Sequence, residues 1–172
     1  MIMLGINLFT MQQFLLCLVI LGTQPNAAHA AELALSPHGY GLIRFGQSLK
    51  HAETILNEHP IIFDPAESCT YVEFLKYRNV RFMVEDGVIT RADVTAAVQN
   101  TSGIKVGMSI AKAKHIQPRL KVKPHHYDPE GYYLTLSSQR SRFALVFETD
   151  KFKITDVRGG MKPSVTYVEG CL

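Results

Sequence analysis

The sequence predicts an α+β fold: two tandem helix–β-meander repeats that form one antiparallel sheet, with both helices packed on one face. Three observations predict it. Ile43-Arg44-Phe45-Gly46-Gln47-Ser48-Leu49 returns as Ile104-Lys105-Val106-Gly107-Met108-Ser109-Ile110, after which Ala52 matches Ala113 and Ile55 matches Ile116. Phe82-Met83-Val84-Glu85-Asp86 is echoed by Leu145-Val146-Phe147-Glu148-Thr149. Each copy also passes from apolar spacing of helical period to three short strand signals, with period-two alternation in the first copy. Two copies at so long a spacing, with no third, describe a duplicated unit and not an open solenoid.

In the first copy, Leu42 to Phe45 reads as a short extended lead-in that Gly46 turns. Ser48 then caps a helix by accepting from a free N–H of its first turn. Leu49, Ala52, Ile55 and Leu56 recur at helical spacing as one apolar stripe, and Pro60 ends the helical region. In the second copy Ser109 is the cap, Ile110, Ala113 and Ile116 are the stripe, and Pro118 is the stop. Helices this short are marginal alone and must dock on neighbouring structure.

Three strands are expected after each helix: residues 69–74, 80–85 and 88–98, then 132–138, 143–148 and 152–158. Val80, Phe82 and Val84 alternate with Arg81, Met83 and Glu85, as in a sheet with one buried face. Asp86-Gly87 is a two-residue hairpin signal. Gly159-Gly160 is expected to break the chain before a seventh strand over residues 165–169. The face without helices is expected to be the more exposed, and concave through sheet twist. Thr70-Tyr71-Val72-Glu73 recurs as Thr166-Tyr167-Val168-Glu169, which suggests that these two strands pair antiparallel, with Val72 opposite Val168.

Residues 1–30 contain no Lys, Arg, Asp or Glu, and their short apolar run leads to Ala28-His29-Ala30. That is the layout of a signal peptide, although no basic residue precedes the run; Met11 as start would give a compact form. The rival reading is an uncleaved anchor, but Asn7, Gln12 and Gln13 interrupt the span and no basic cluster follows. The expected organisation is a signal peptide over 1–30 and one domain over 31–172, with repeats at about 40–98 and 101–172. The expected location is periplasmic or secreted, with no membrane span after cleavage. Cys69 and Cys171, the two cysteines left, are then expected to form one disulfide and not a redox or metal pair. Lys and Arg number 18 against 15 Asp and Glu, a net charge of +3 with no basic block, which argues against a nucleic-acid partner.

The twice-used I-x-F/V-G-x-S-x-x-x-A segment, each time followed by a strand meander, resembles the tandem repeat of β-lactamase-inhibitory-protein-like domains. The half-unit also resembles small envelope lipoproteins of outer-membrane assembly. The whole run is similar to exported proteins of Gram-negative bacteria, through Gly41-Leu42-Ile43-Arg44-Phe45-Gly46, Pro124-His125-His126-Tyr127 ahead of Tyr132-Tyr133-Leu134, and the terminal Tyr167-Val168-Glu169-Gly170-Cys171. The resemblance implies a scaffold that holds inhibitors and adaptors alike. None of the inhibitor family's contact residues is placed on this chain.

Catalytic patterns are sparse. Ser109-Ile110-Ala111-Lys112 and Ser102-Gly103-Ile104-Lys105 fit S-x-x-K, but the companion S-D-N and K-T-G motifs are absent and Ser109 already serves as a cap. His125, His126 and Asp128 form the one tight group of metal-ligand types, and a polar loop is the expectation there over a zinc site. Glu85, Asp86, Glu148 and Asp150 fall at expected hairpin tips, where acids serve turn geometry. No Gly-rich phosphate loop is present.

Residues 123–133 hold three Tyr, two His and two Pro. Prolines lower the ordering cost of a loop on binding, and Tyr offers large amphipathic contact area. The loop therefore reads either as a recognition loop carrying His125, His126, Tyr127, Tyr132 and Tyr133, or as one that packs its rings over the sheet edge. The expected function is an exported, non-enzymatic binding protein without a cofactor. It would act as a steric inhibitor of an envelope hydrolase, using the open sheet face and its loops. The alternatives are a lectin-like carbohydrate-binding module and an envelope assembly or structural adaptor. The partner is thus a cell-envelope protein or a glycan; the sequence does not choose between them, nor fix the oligomeric state.

Overall fold

The computed structural model describes residues 33–63, 68–137 and 140–171. The expected leader, residues 1–30, lies outside them, as do Ser138 at the end of one expected strand and Leu172. A two-stranded hairpin, β1 (Gly39–Tyr40) and β2 (Ile43–Arg44), precedes helix α1 (Leu49–Leu56). Four strands follow: β3 (Ile61–Phe63), β4 (Cys69–Glu73), β5 (Val80–Glu85) and β6 (Val88–Val94). The pattern then repeats as helix α2 (Ile110–Ile116) and strands β7 (Lys121–Pro124), β8 (Tyr132–Leu136), β9 (Phe143–Thr149) and β10 (Ile154–Met161).

All eight later strands join in one antiparallel sheet, in the order β3-β4-β5-β6-β10-β9-β8-β7. The second meander is therefore laid beside the first in reverse, and the two meet at the antiparallel pair β6–β10, where Val94 opposes Val157 and Asp93 opposes Arg158. This arrangement gives the sheet an approximate two-fold relation about its centre.

The duplicated motif fixes how each helix start is tied to its own sheet half. Gly46 and Gly107 both have positive φ (96° and 83°), a conformation that glycine adopts without a Cβ clash. The N–H of Gly46 donates to Ile89 O and that of Gly107 to Ile154 O, each at 2.8 Å. In return Ile89 N donates to Gln47 O and Ile154 N to Met108 O. Ser48 Oγ accepts from His51 N at 3.2 Å and Ser109 Oγ from Lys112 N at 3.3 Å, the capping bonds expected from the sequence. These matching bonds place Ile89 where the other copy has Ile154. Since Val84 opposes Ile89 and Thr149 opposes Ile154, Phe82 corresponds to Phe147, two residues beyond the sequence echo.

The α+β expectation is overturned: the protein is mostly β. The two helices have only 8 and 7 residues, and neither forms a layer across the eight-stranded sheet. The physical reason is the length of the stripe. Only Ala52 and Leu56 of α1 and Ala113 of α2 are fully buried, while Ile116 stays exposed. The helices share the covering of the main core with Leu35, the β1–β2 hairpin (Tyr40, Ile43), Phe74, Tyr77 and Ile104, all buried with Val72, Phe82, Leu134, Leu145 and Phe147 of the sheet.

Other expectations are adjusted at the edges. Each copy has four strands and not three, because the short β3 and β7 add one strand at each edge. Gly159-Gly160 does not break the chain: β10 runs through both to Met161. A Cβ on Gly160 would lie 2.5 Å from Thr90 O, so the missing side chain allows close strand packing there. Asp86 and Gly87 close the β5–β6 hairpin with positive φ at both positions, as a primed turn requires.

The seventh strand expected over residues 165–169 is not formed. Ser164–Thr166 is a single 3-10 turn, and the chain beyond it crosses the sheet as a strap. Val72 and Val168 do not pair. Both hydrogen-bonding edges of β4 are already taken, by β3 on one side and β5 on the other, so no edge remains for the C-terminal segment.

Candidate binding cleft

The sheet face opposite the main core was expected to be open. It is closed at its centre by the strap, residues 162–171. Val165 of the strap packs on Ala144 and Val146 of the sheet, with Tyr133 against them, and Met83 is buried on the same face. Two arginines that the sequence reading passed over sit there as well, each only 5% exposed: Arg91 on β6 and Arg158 on β10.

Both arginines hold the strap by its backbone. Arg158 Nε donates to Val165 O at 2.9 Å, and Arg91 Nη1 donates to Tyr167 O at 3.3 Å and to Ser164 O at 3.5 Å. A buried guanidinium needs a counter-charge. Asp93 supplies one to Arg91, with Nη2 to Oδ1 at 2.6 Å, and Glu148 supplies one to Arg158. At the end of the strap the Cys69–Cys171 disulfide is formed, as the sequence predicted, with the two Cα atoms 5.3 Å apart. A strand ladder is unnecessary here, because the side chains of the sheet satisfy the strap's carbonyls.

The 123–133 loop stands beside the strap on the same face. His125 anchors it: Nδ1 accepts from the N–H groups of Tyr127 and Asp128, each at 3.1 Å, while Nε2 lies 3.6 Å from Glu148 Oε2. The ring of His125 stacks on Tyr133 at 4.4 Å between centroids, and Arg158 lies over the other ring partner, 5.6 Å from the Tyr133 centroid. His126 meets Tyr127 edge-on at 4.7 Å, and the Tyr127 hydroxyl donates to Glu169 of the strap. Burial, followed by the nearby Glu148 carboxylate, raises the Tyr133 hydroxyl above the usual tyrosine value. Tyr132 departs from the expected group. It alternates with Tyr133 along β8, so its side chain falls on the side of the core residue Leu134.

Between loop and strap opens a cleft of about 500 Å³. Met83, Glu85 and the disulfide line it, and His126, Tyr127, Tyr167, Val168 and Glu169 form its sides. Tyr127 is 63% exposed, Tyr167 39% and Val168 36%. Glu85 and Glu148, assigned by sequence to hairpin tips, are in fact turned onto this face. Glu85 Oε2 accepts from Thr90 Oγ1 and Ser164 Oγ, both at 2.5 Å. A bulge between Met83 and Val84 in the β5–β6 register leaves Thr90 unpaired, and it is the extra residue that meets Glu85. At the far edge of the strap, Tyr71 is pushed up to about 12 by burial first and then by the nearby Asp93 carboxylate.

Of the five residues expected to recognise a partner, the fold thus brings His125, His126, Tyr127 and Tyr133 to one face and sends Tyr132 to the other. Among the described residues no three His, Cys, Asp or Glu groups are gathered to hold a metal ion. A signal for the missed residues does exist in the sequence: Arg91 and Arg158 each interrupt a β-rich run at its middle, where a charge is costly unless it is paired.

Fold and cleft together define a mostly-β, internally duplicated sheet protein whose second face is closed by its own C-terminal strap. Comparison with protein families, with curated proteins and with solved structures finds no match.

Proposed function

We propose that this is an exported, non-enzymatic binding protein that seats a segment of another cell-envelope protein in the cleft between the 123–133 loop and the strap. The observation that carries this reading is the grouping of Tyr127, Tyr167 and Val168, all exposed, around one cleft. Exposed tyrosines beside a concave apolar floor are the usual make-up of a protein-recognition centre. Both walls are held before any partner arrives, the loop by His125 and the strap by two arginines and a disulfide. A preformed site loses little conformational entropy on binding. Steric inhibition of an envelope hydrolase is the form of action that best suits a rigid projecting loop without a catalytic set of its own.

Site-specific photocrosslinking tests this. A photoreactive residue at position 127 or 168 should capture one envelope protein that the same residue at Lys50, on helix α1, does not. The captured protein, once purified, should bind with an affinity that Tyr127→Ala lowers, and a hydrolase should lose activity on binding. Capture of the same proteins from Lys50 as from Tyr127 would defeat the proposal. Binding to a glycan array, abolished by Tyr127→Ala, would favour the lectin-like reading instead.

A further inference from the structure

We propose that the cleft is a receptor for a basic side chain, a Lys or Arg of the polypeptide segment, with Glu85 as its counter-charge. The inference rests on the reading that a polypeptide occupies the cleft, and adds the chemistry that would select it. Three carboxylates gather around the strap. Asp93 is paired with Arg91, and Glu148 with Arg158 and His125. Glu85 is left with hydroxyl groups alone, and it makes no ion pair among the described residues. Both hydroxyls bond to Oε2, no donor to Oε1 is present among the described residues, and Glu85 lines the cleft.

The walls fit the same ligand. Met83, Val168 and the disulfide offer an apolar channel for the methylene stem of Lys or Arg, whose charged head then reaches the carboxylate. Tyr127 and Tyr167 also line the cleft, and aromatic rings of this kind attract a cation. Glu169 adds a second negative charge there, while among the described residues no Lys or Arg lines the cleft. A volume of about 500 Å³ leaves room for the apolar neighbours of the basic residue. A carboxylate that meets a partner's ammonium or guanidinium gains the attraction of an opposite charge as well as a hydrogen bond, which two neutral hydroxyls do not supply.

The experiment is selection of a phage-displayed library of random linear peptides against the purified protein. Recovered peptides should carry a Lys or Arg beside aliphatic residues. Their affinity should fall about tenfold or more with Glu85→Gln, as loss of a hydrogen bond to a charged group requires. Val168→Lys, at an exposed position, supplies an ammonium from within and should abolish binding too, so the test does not hang on the folding of the Glu85 variant, while Lys50→Met on helix α1, outside the cleft, should leave binding unchanged. Peptides that lack basic residues, or that bind Glu85→Gln as tightly as wild type, would overturn the basic-side-chain proposal alone, provided that Tyr127→Ala still weakens them. Peptides indifferent to Tyr127→Ala, or recovery of none, would overturn both the proposal and the reading on which it rests.

Discussion

Arg158 donates from Nε to the carbonyl oxygen of Val165 at 2.9 Å, so a strand at the centre of the sheet holds the backbone of the C-terminal strap. The same guanidinium pairs with Glu148, which also meets His125 of the 123–133 loop. One side chain thereby sets the relative position of the two walls of the cleft.

Arg158→Met keeps much of the apolar stem of the side chain but deletes its donors. Glu148 loses its guanidinium partner and Val165 O its donor. The expected loss of stability is about 2–4 kcal/mol, as for one partner removed from a largely buried pair. Urea denaturation measures this, and hydrogen exchange should show faster opening of the strap. An unchanged midpoint and unchanged strap protection would mean that the strap is held without Arg158.

Removal of the disulfide in the double variant Cys69→Ser, Cys171→Ser releases a loop with a sequence separation of 102 residues. The expected cost is about 2–5 kcal/mol, mainly because the unfolded chain is no longer constrained. Strap amides should lose protection first, while the central strands β6 and β10 keep theirs.

Tyr71 provides an alkaline signature. Its folded value is raised above the ordinary 10 to about 12, so the neutral hydroxyl is favoured in the folded state. That contribution to stability is complete below pH 10, and falls away as the pH rises from 10 to about 12, because the unfolded chain ionises first. Tyrosinate absorbance should show one group that titrates late, and Tyr71→Phe should remove both this group and its share of the alkaline loss of stability.

The two helix caps make a paired test of the duplication. Ser48→Ala and Ser109→Ala should each cost about 1 kcal/mol, by loss of the bonds to His51 N and Lys112 N. The double variant should show the sum, since the caps serve separate repeats. A much larger cost for one copy, measured by thermal unfolding, would mark that helix as more tightly coupled to the core.

Much of the repeat unit was legible locally. Gly46-x-Ser48 and Gly107-x-Ser109 mark a turn and a cap in any context, period-two alternation located β5, and the echo between the copies located β9. The edge strands β3 and β7 were not legible, because 3 and 4 residues are too few for a period to emerge. Composition singled out residues 123–133, and their His125, His126, Tyr127 and Tyr133 lie on the face that carries the strap. Tyr132 was grouped with them wrongly, because adjacent residues of a strand face opposite ways. Glu85 and Glu148 were read as tip residues because sequence position shows where a hairpin turns, and not what lies above it.

By itself, the sequence determined the duplicated unit, its turns and caps, and the pair of cysteines. These depend on backbone chemistry within a few residues, or on the pairing of the last two thiols. Tertiary structure decided the rest. The short edge strand β3 on one side and β5 on the other left β4 with no free edge, so the terminal Thr166-Tyr167-Val168-Glu169 became a strap in place of a strand. The strap in turn covered Arg91 and Arg158 and drew their side chains to its carbonyls. It also made a cleft out of residues 83, 85, 127 and 168, which are far apart in the chain. A cleft of that kind arises from which edges and faces remain unfilled once the sheet has formed, a property of the packed whole and not of any one segment.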